Sequence, residues 1–96
     1  MNGDNTISDL DIMKLIPSIM NRLCNDYKLR SQNGQDTNFD IDEFRQRYVE
    51  TISSETFRNI IERISNMNKE VEVNGNKMKL TLHGINNCKT YDPFFI

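Results

Sequence analysis

KEVEVNGNKMKLTLHG, residues 69–84, alternates apolar and polar side chains on both sides of Asn74-Gly75. Successive side chains of a strand point to opposite faces, so this alternation predicts two short strands joined by a tight turn. A two-residue type I′ turn at Asn74-Gly75 sets Glu72 opposite Lys77, Glu70 opposite Lys79 and Val71 opposite Met78. All three pairings are favourable, whereas a slip of one residue sets Glu72 against Met78 and Val71 against Lys79. Val71, Val73, Met78, Leu80 and Leu82 then form the inner face. Glu70, Glu72, Lys77, Lys79, Thr81 and His83 face water.

The segment ahead of this hairpin has a different period. Phe57, Ile60, Ile61, Ile64 and Met67 recur at steps of three and four, the spacing of one buried helix face, and Ser53 or Ser54 supplies the cap. Glu55, Arg58, Asn59, Glu62, Arg63 and Asn66 form the outward face of this helix. The break Thr51–Ser54 separates it from a helix running from Ile41 to Val49 or Glu50. There Asp40 caps the first turn, Glu43 is its reciprocal partner, and Phe39 and Phe44 hold the two positions of a hydrophobic staple.

Further upstream lies a polar loop, Arg30–Asn38, and before it a helix from Thr6 or Ser8 to about Leu29. Ile12, Ile16, Ile19, Met20, Leu23 and Tyr27 form its apolar stripe. Pro17 predicts a kink, or a first helix ending at Ile16 and a second opening at Pro17, because proline lacks the amide donor and crowds the carbonyl four residues back. Residues 1–5 read as a flexible start. Residues 85–96 read as a tail whose Tyr91, Phe94, Phe95 and Ile96 are too apolar to fray, so they dock on the body or on a partner. Met13, Met20 and Met67 read as core filling.

The composition suits one globular domain spanning residues 1–96, with 36% hydrophobic and 27% charged residues in a chain of 96. A chain this short builds a modest core and can lean on a partner or a second copy. No apolar run is long enough to span a bilayer, since Asp11 and Lys14 interrupt the first one, so no membrane partner is expected. The start MNGDNTISDLD is acidic and polar rather than a secretory signal, and Asn2 excludes the myristoylation pattern. These features predict an intracellular protein, cytoplasmic, or nuclear in a eukaryote. Cys24 and Cys88 lie in no disulfide-framework spacing and read as free thiols. The richness in Asn and Ile fits AT-rich coding, as in a phage or virus of a low-GC host.

Helix, loop, helix, tight break, helix and two-stranded hairpin resembles the order of a winged helix-turn-helix domain. The resemblance is most specific at FDIDEFRQRYVETISSETFRNIIERI, residues 39–64, where ISSETFRNII is similar to the turn and second helix of such motifs. It covers about Phe39 to Gly84, with DTNF in place to supply the short first strand. Thr51-Ile52 stands where the turn usually carries a glycine. The resemblance implies an α+β, winged-helix-like fold: a three-helix core followed by a C-terminal β-hairpin, with residues 6–84 as the body and 85–96 as the apolar tail. It also implies a regulatory, DNA-binding role, with helix 54–67 as reader and hairpin 69–84 as wing. Arg58 and Arg63 would read guanine, Asn59 and Asn66 adenine, Ser54 and Thr56 with Ser53 would hold a phosphate, and Lys77 and Lys79 would be wing contacts.

Charge argues for an alternative. Residues 55–84 carry five basic side chains against four acidic ones, and residues 32–54 carry two against five, leaving little to neutralise phosphates. The alternative is a protein-interaction module, an assembly subunit or a viral accessory inhibitor of a host protein, using Tyr91, Phe94, Phe95 and Ile96. A homodimer falls within the same reading. Catalysis is not expected. His83 is the single histidine and no nucleophile is spaced to pair with it, while Asp40, Asp42 and Glu43 lack the glycine and final glutamate of a calcium loop. The four glycines are isolated, so there is no phosphate loop, and no metal or cofactor is expected.

Overall fold

The computed structural model describes residues 9–95. In chain order these form α1 (Asp9–Gln32), β1 (Phe39–Asp40), α2 (Ile41–Tyr48), α3 (Ser54–Arg63), a π-helical turn (Ile64–Asn68), β2 (Val71–Asn74), β3 (Lys77–Leu80), α4 (Leu82–Asn86) and α5 (Cys88–Tyr91). The strands make one antiparallel sheet in the order β1-β3-β2. The chain is thus α+β, with three helices ahead of a hairpin, and the end of the DTNF segment enters β1. The predicted flexible start, the competing caps Thr6 and Ser8, and Ile96 lie outside the described residues.

α1 runs through Pro17 unbroken, which resolves the choice between a kinked helix and two helices in favour of one. The backbone bond that proline cannot make would go to Met13, and both residues are exposed, so the orphaned carbonyl of Met13 can be met by water. The helix continues three residues past Leu29, and Gly34, at φ +69°, turns the chain out of it.

α2 starts as its cap predicts. The Asp40 carboxylate accepts from the Glu43 amide at 2.9 Å, and Phe39 meets Phe44 edge-on with ring centroids 6.4 Å apart. Phe44 also stacks on Phe57, at 6.1 Å, which joins α2 to α3. Ser53 caps α3 by accepting from the Thr56 amide at 3.1 Å. Ile19, Met20, Leu23, Phe39, Ile41, Phe44, Phe57, Ile60, Ile61, Ile64, Val71 and Met78 are all buried between α1, α2, α3 and the sheet.

Five readings need correction. The hairpin is offset by two residues: Glu72 pairs with Lys79, Val73 with Met78 and Val71 with Leu80, so the turn is Gly75-Asn76 rather than Asn74-Gly75. Gly75, at φ +64°, occupies the first turn position, as in a type II′ turn. Asn76 is held in the second position because its carbonyl accepts from the Ile41 amide and its side chain donates to Asp40. An offset of two preserves the faces, so Val71, Met78 and Leu80 still point inward.

Met67 is the second correction. It is 71% exposed rather than core, because the turn after α3 is π-helical, and its extra residue rotates Met67 off the face shared by Phe57, Ile60 and Ile64. Met13 is exposed too, and of the three methionines only Met20 is buried. Third, Leu82 is exposed. The strand stops at Leu80, and Thr81 instead caps α4, its hydroxyl accepting from the Gly84 amide at 3.0 Å while donating to the Lys69 carbonyl at 2.7 Å.

Fourth, Glu70 does not face water. It is 3% exposed, ahead of β2 and just after Lys69, whose φ of +58° turns the chain. Fifth, Cys24 and Cys88 are not free thiols but a disulfide, both buried, with α5 packed against α1 and the two Cα atoms 5.8 Å apart. They stand 64 residues apart in sequence, so no local spacing announces the pair.

Candidate functional site

The outward side of α3 is open, but it is not a basic strip. Glu55, Asn59 and Glu62 follow one another along the middle of its exposed face at steps of four and three. Arg58 and Arg63 flank that line and are only half-exposed. The Arg58 guanidinium faces Glu62 at 3.3 Å and donates to the Gly75 carbonyl and to Asn76, tying α3 to the hairpin turn.

At the start of α3 the hydroxyls expected to hold a phosphate are engaged otherwise. The Thr56 hydroxyl accepts from Ser53 at 2.9 Å within the cap, and the Ser54 hydroxyl donates to the Asp42 carboxylate at 3.4 Å. That carboxylate opposes a second anion at the same place. Asn59 and Asn66 are exposed, though Asn66 sits in the π-helical turn rather than in α3. On the hairpin, Lys79 reaches Glu72 at 4.0 Å and Lys77 is exposed. The Asn38 backbone amide, then its side-chain amide, hold the Asp36 carboxyl below its ordinary range, with Lys77 and Arg30 adding smaller contributions.

A second surface lies on the opposite flank of α3. Met13, Ile16 and Pro17 from α1, Arg63, Met67 and Asn68 from the end of α3 and its π-helical turn, and Tyr91 from α5 line a groove of about 290 Å³. The rotation that expels Met67 from the core places it here. Sequence reasoning missed this groove, because an α-helical period assigns Met67 to the core. The available signal was Met13 and Pro17, four residues apart and off the apolar stripe of α1.

The residues of the predicted tail do not act together. Tyr91 is half-buried, and its hydroxyl donates to both carboxylate oxygens of Glu70, at 2.9 and 3.0 Å. Asn87 donates to the same carboxylate at 2.9 Å and Asn68 at 3.5 Å, so Glu70 is held by three neutral donors. Burial, followed by the hydrogen bond and charge of Glu70, pushes the Tyr91 hydroxyl up to about 12. Phe95 packs partly against the core. Phe94 is 82% exposed and so does not dock on the body.

Among the described residues no group of His, Cys, Asp and Glu could hold a metal ion, and no helix is long and apolar enough to cross a membrane. His83 is exposed and its ring lies 3.2 Å from the Asn87 side chain. Comparison with protein-family models, with curated proteins and with solved structures finds no match to this chain.

Proposed function

We propose that this protein is a protein-recognition module that takes an apolar segment of a partner in the groove between α1, the π-helical turn and α5. The observation that carries this reading is the joint exposure of Met13 (63%) and Met67 (71%) on one groove with Pro17 and Tyr91. Two flexible thioether side chains beside an aromatic ring suit adaptable apolar contact. The partner is another protein or a second copy of this chain, acting non-enzymatically.

One observation favours a second reading, DNA binding by a winged-helix domain. The order α1, β1, α2, α3, β2, β3, with sheet order β1-β3-β2, supports such a fold, with α3 as reader and the hairpin as wing. Charge weighs against it. Glu55 and Glu62 interrupt the reader, and a surface with few spare cations gains little from releasing the counterions of DNA.

A photo-crosslinking side chain placed at position 67, and separately at position 59, separates the two. Crosslinks to protein from 67 and none from 59 support the groove. Crosslinks to random duplex DNA from 59, with an affinity that falls as salt rises, overturn it in favour of DNA.

A further inference from the structure

We propose that residues 82–95 are a redox-released strap, closed on α1 while Cys24 and Cys88 are oxidised and free to leave when they are reduced. The strap is held by one covalent bond, by the packing of α5 on α1 and by a small set of hydrogen bonds. Asn21 donates to the Tyr91 carbonyl at 2.6 Å, Lys28 to the Phe94 carbonyl at 3.4 Å, and Tyr91 and Asn87 to Glu70. Its apolar residues Ile85, Tyr91 and Phe95 are only partly buried. Phe39, Phe44, Phe57, Ile60, Ile61, Val71 and Met78, by contrast, pack among α2, α3 and the sheet, so the body keeps its core when the strap leaves.

Both sulfurs are fully buried, so a reductant reaches them only when the strap opens locally. α5 is only four residues long, the kind of element that opens at low cost. A dithiol reductant then completes the step. One of its thiolates attacks one cysteine sulfur, and the other cysteine departs as a thiolate and takes a proton. The second thiol of the reductant closes its own ring and frees the first cysteine as a thiol. Two electrons and two protons pass to the protein, and the reductant ends as a cyclic disulfide. An oxidising compartment therefore holds the strap shut and a reducing cytosol opens it. On the groove reading above, release also withdraws Tyr91 from the groove wall, but the test reads the strap alone, so its failure leaves that reading standing.

The test is hydrogen exchange on the whole chain before and after dithiothreitol, with intact mass reporting the gain of two hydrogens. The expected result is exchange at least about tenfold faster across residues 82–95, with residues 39–64 and 71–80 accelerated less than the strap and still protected. The Cys24→Ser/Cys88→Ser variant should match the reduced pattern. A bond that resists dithiothreitol in the folded protein, a reduced protein with unchanged exchange in the strap, or protection lost throughout the chain would each overturn the proposal.

Discussion

Tyr91 and Glu70 form the polar centre under the C-terminal segment: one phenol hydroxyl lies 2.9 and 3.0 Å from the two oxygens of a carboxylate that is 3% exposed. That carboxylate accepts from the hydroxyl and from the amide side chains of Asn87 and Asn68, which disperse its charge. Tyr91→Phe keeps the ring and removes the strongest donor. The expected loss is about 1–3 kcal/mol in chemical denaturation, the cost of under-satisfying a buried acceptor.

The same contact predicts a response to alkali. The folded-state value of Tyr91, about 12, lies above the ordinary 10.0, so its stabilisation is fully present below pH 10 and is lost as pH rises through the folded value. Urea midpoints compared at about pH 8 and about pH 11 should fall more for the native chain than for Tyr91→Phe. Equal falls would show that another group governs the alkaline loss.

Gly84 sits against the Glu70 backbone so closely that an added Cβ would lie 2.0 Å from the carbonyl oxygen. Both groups are backbone, so neither can swing aside. Gly84→Ala should cost about 2 kcal/mol or more and unseat α4, read as a lower melting temperature and lost exchange protection across residues 82–86.

Asp40 serves two elements, accepting from the Glu43 amide at 2.9 Å and from the Asn76 side chain at 3.2 Å. Asp40→Ala should therefore cost about 1–2 kcal/mol, at the upper end for a helix cap, because the hairpin turn loses an anchor as well. Asn76→Ala combined with it should be less than additive, which a double-mutant cycle measures.

Arg58 is a tie between α3 and the Gly75-Asn76 turn. Arg58→Ala should lower stability by about 0.5–1 kcal/mol, since these are exposed hydrogen bonds, and leave crosslinking from position 67 unchanged. A loss of duplex binding in that variant, at unchanged stability, would instead support the DNA reading.

Local chemistry was legible in the sequence. Asp40 and Ser53 announce their helices because a cap is a contact across three residues, and the alternation of residues 71–80 assigns the inner face of the hairpin whichever of two offsets it adopts. Asn74-Gly75 and Gly75-Asn76 are both acceptable turns, and only the grip of Ile41 and Asp40 on Asn76, from a part of the chain 35 residues away, selects the second. The candidate groove was hidden for a related reason: a π-helical turn leaves no mark in the period that precedes it, so Met67 reads as core although it lies outside.

By itself, then, the sequence determined the Asp40 cap, the buried face shared by Phe57, Ile60, Ile61 and Ile64, and the order of helices and strands as far as the hairpin, all of which depend on neighbours within a few residues. Only the tertiary structure decided that Cys24 meets Cys88 and that Glu70 lies under Tyr91, together with the exposure of Met67. The first two depend on where residues 82–95 fold back, and packing between distant segments is set by shape and by the whole core rather than by any local pattern.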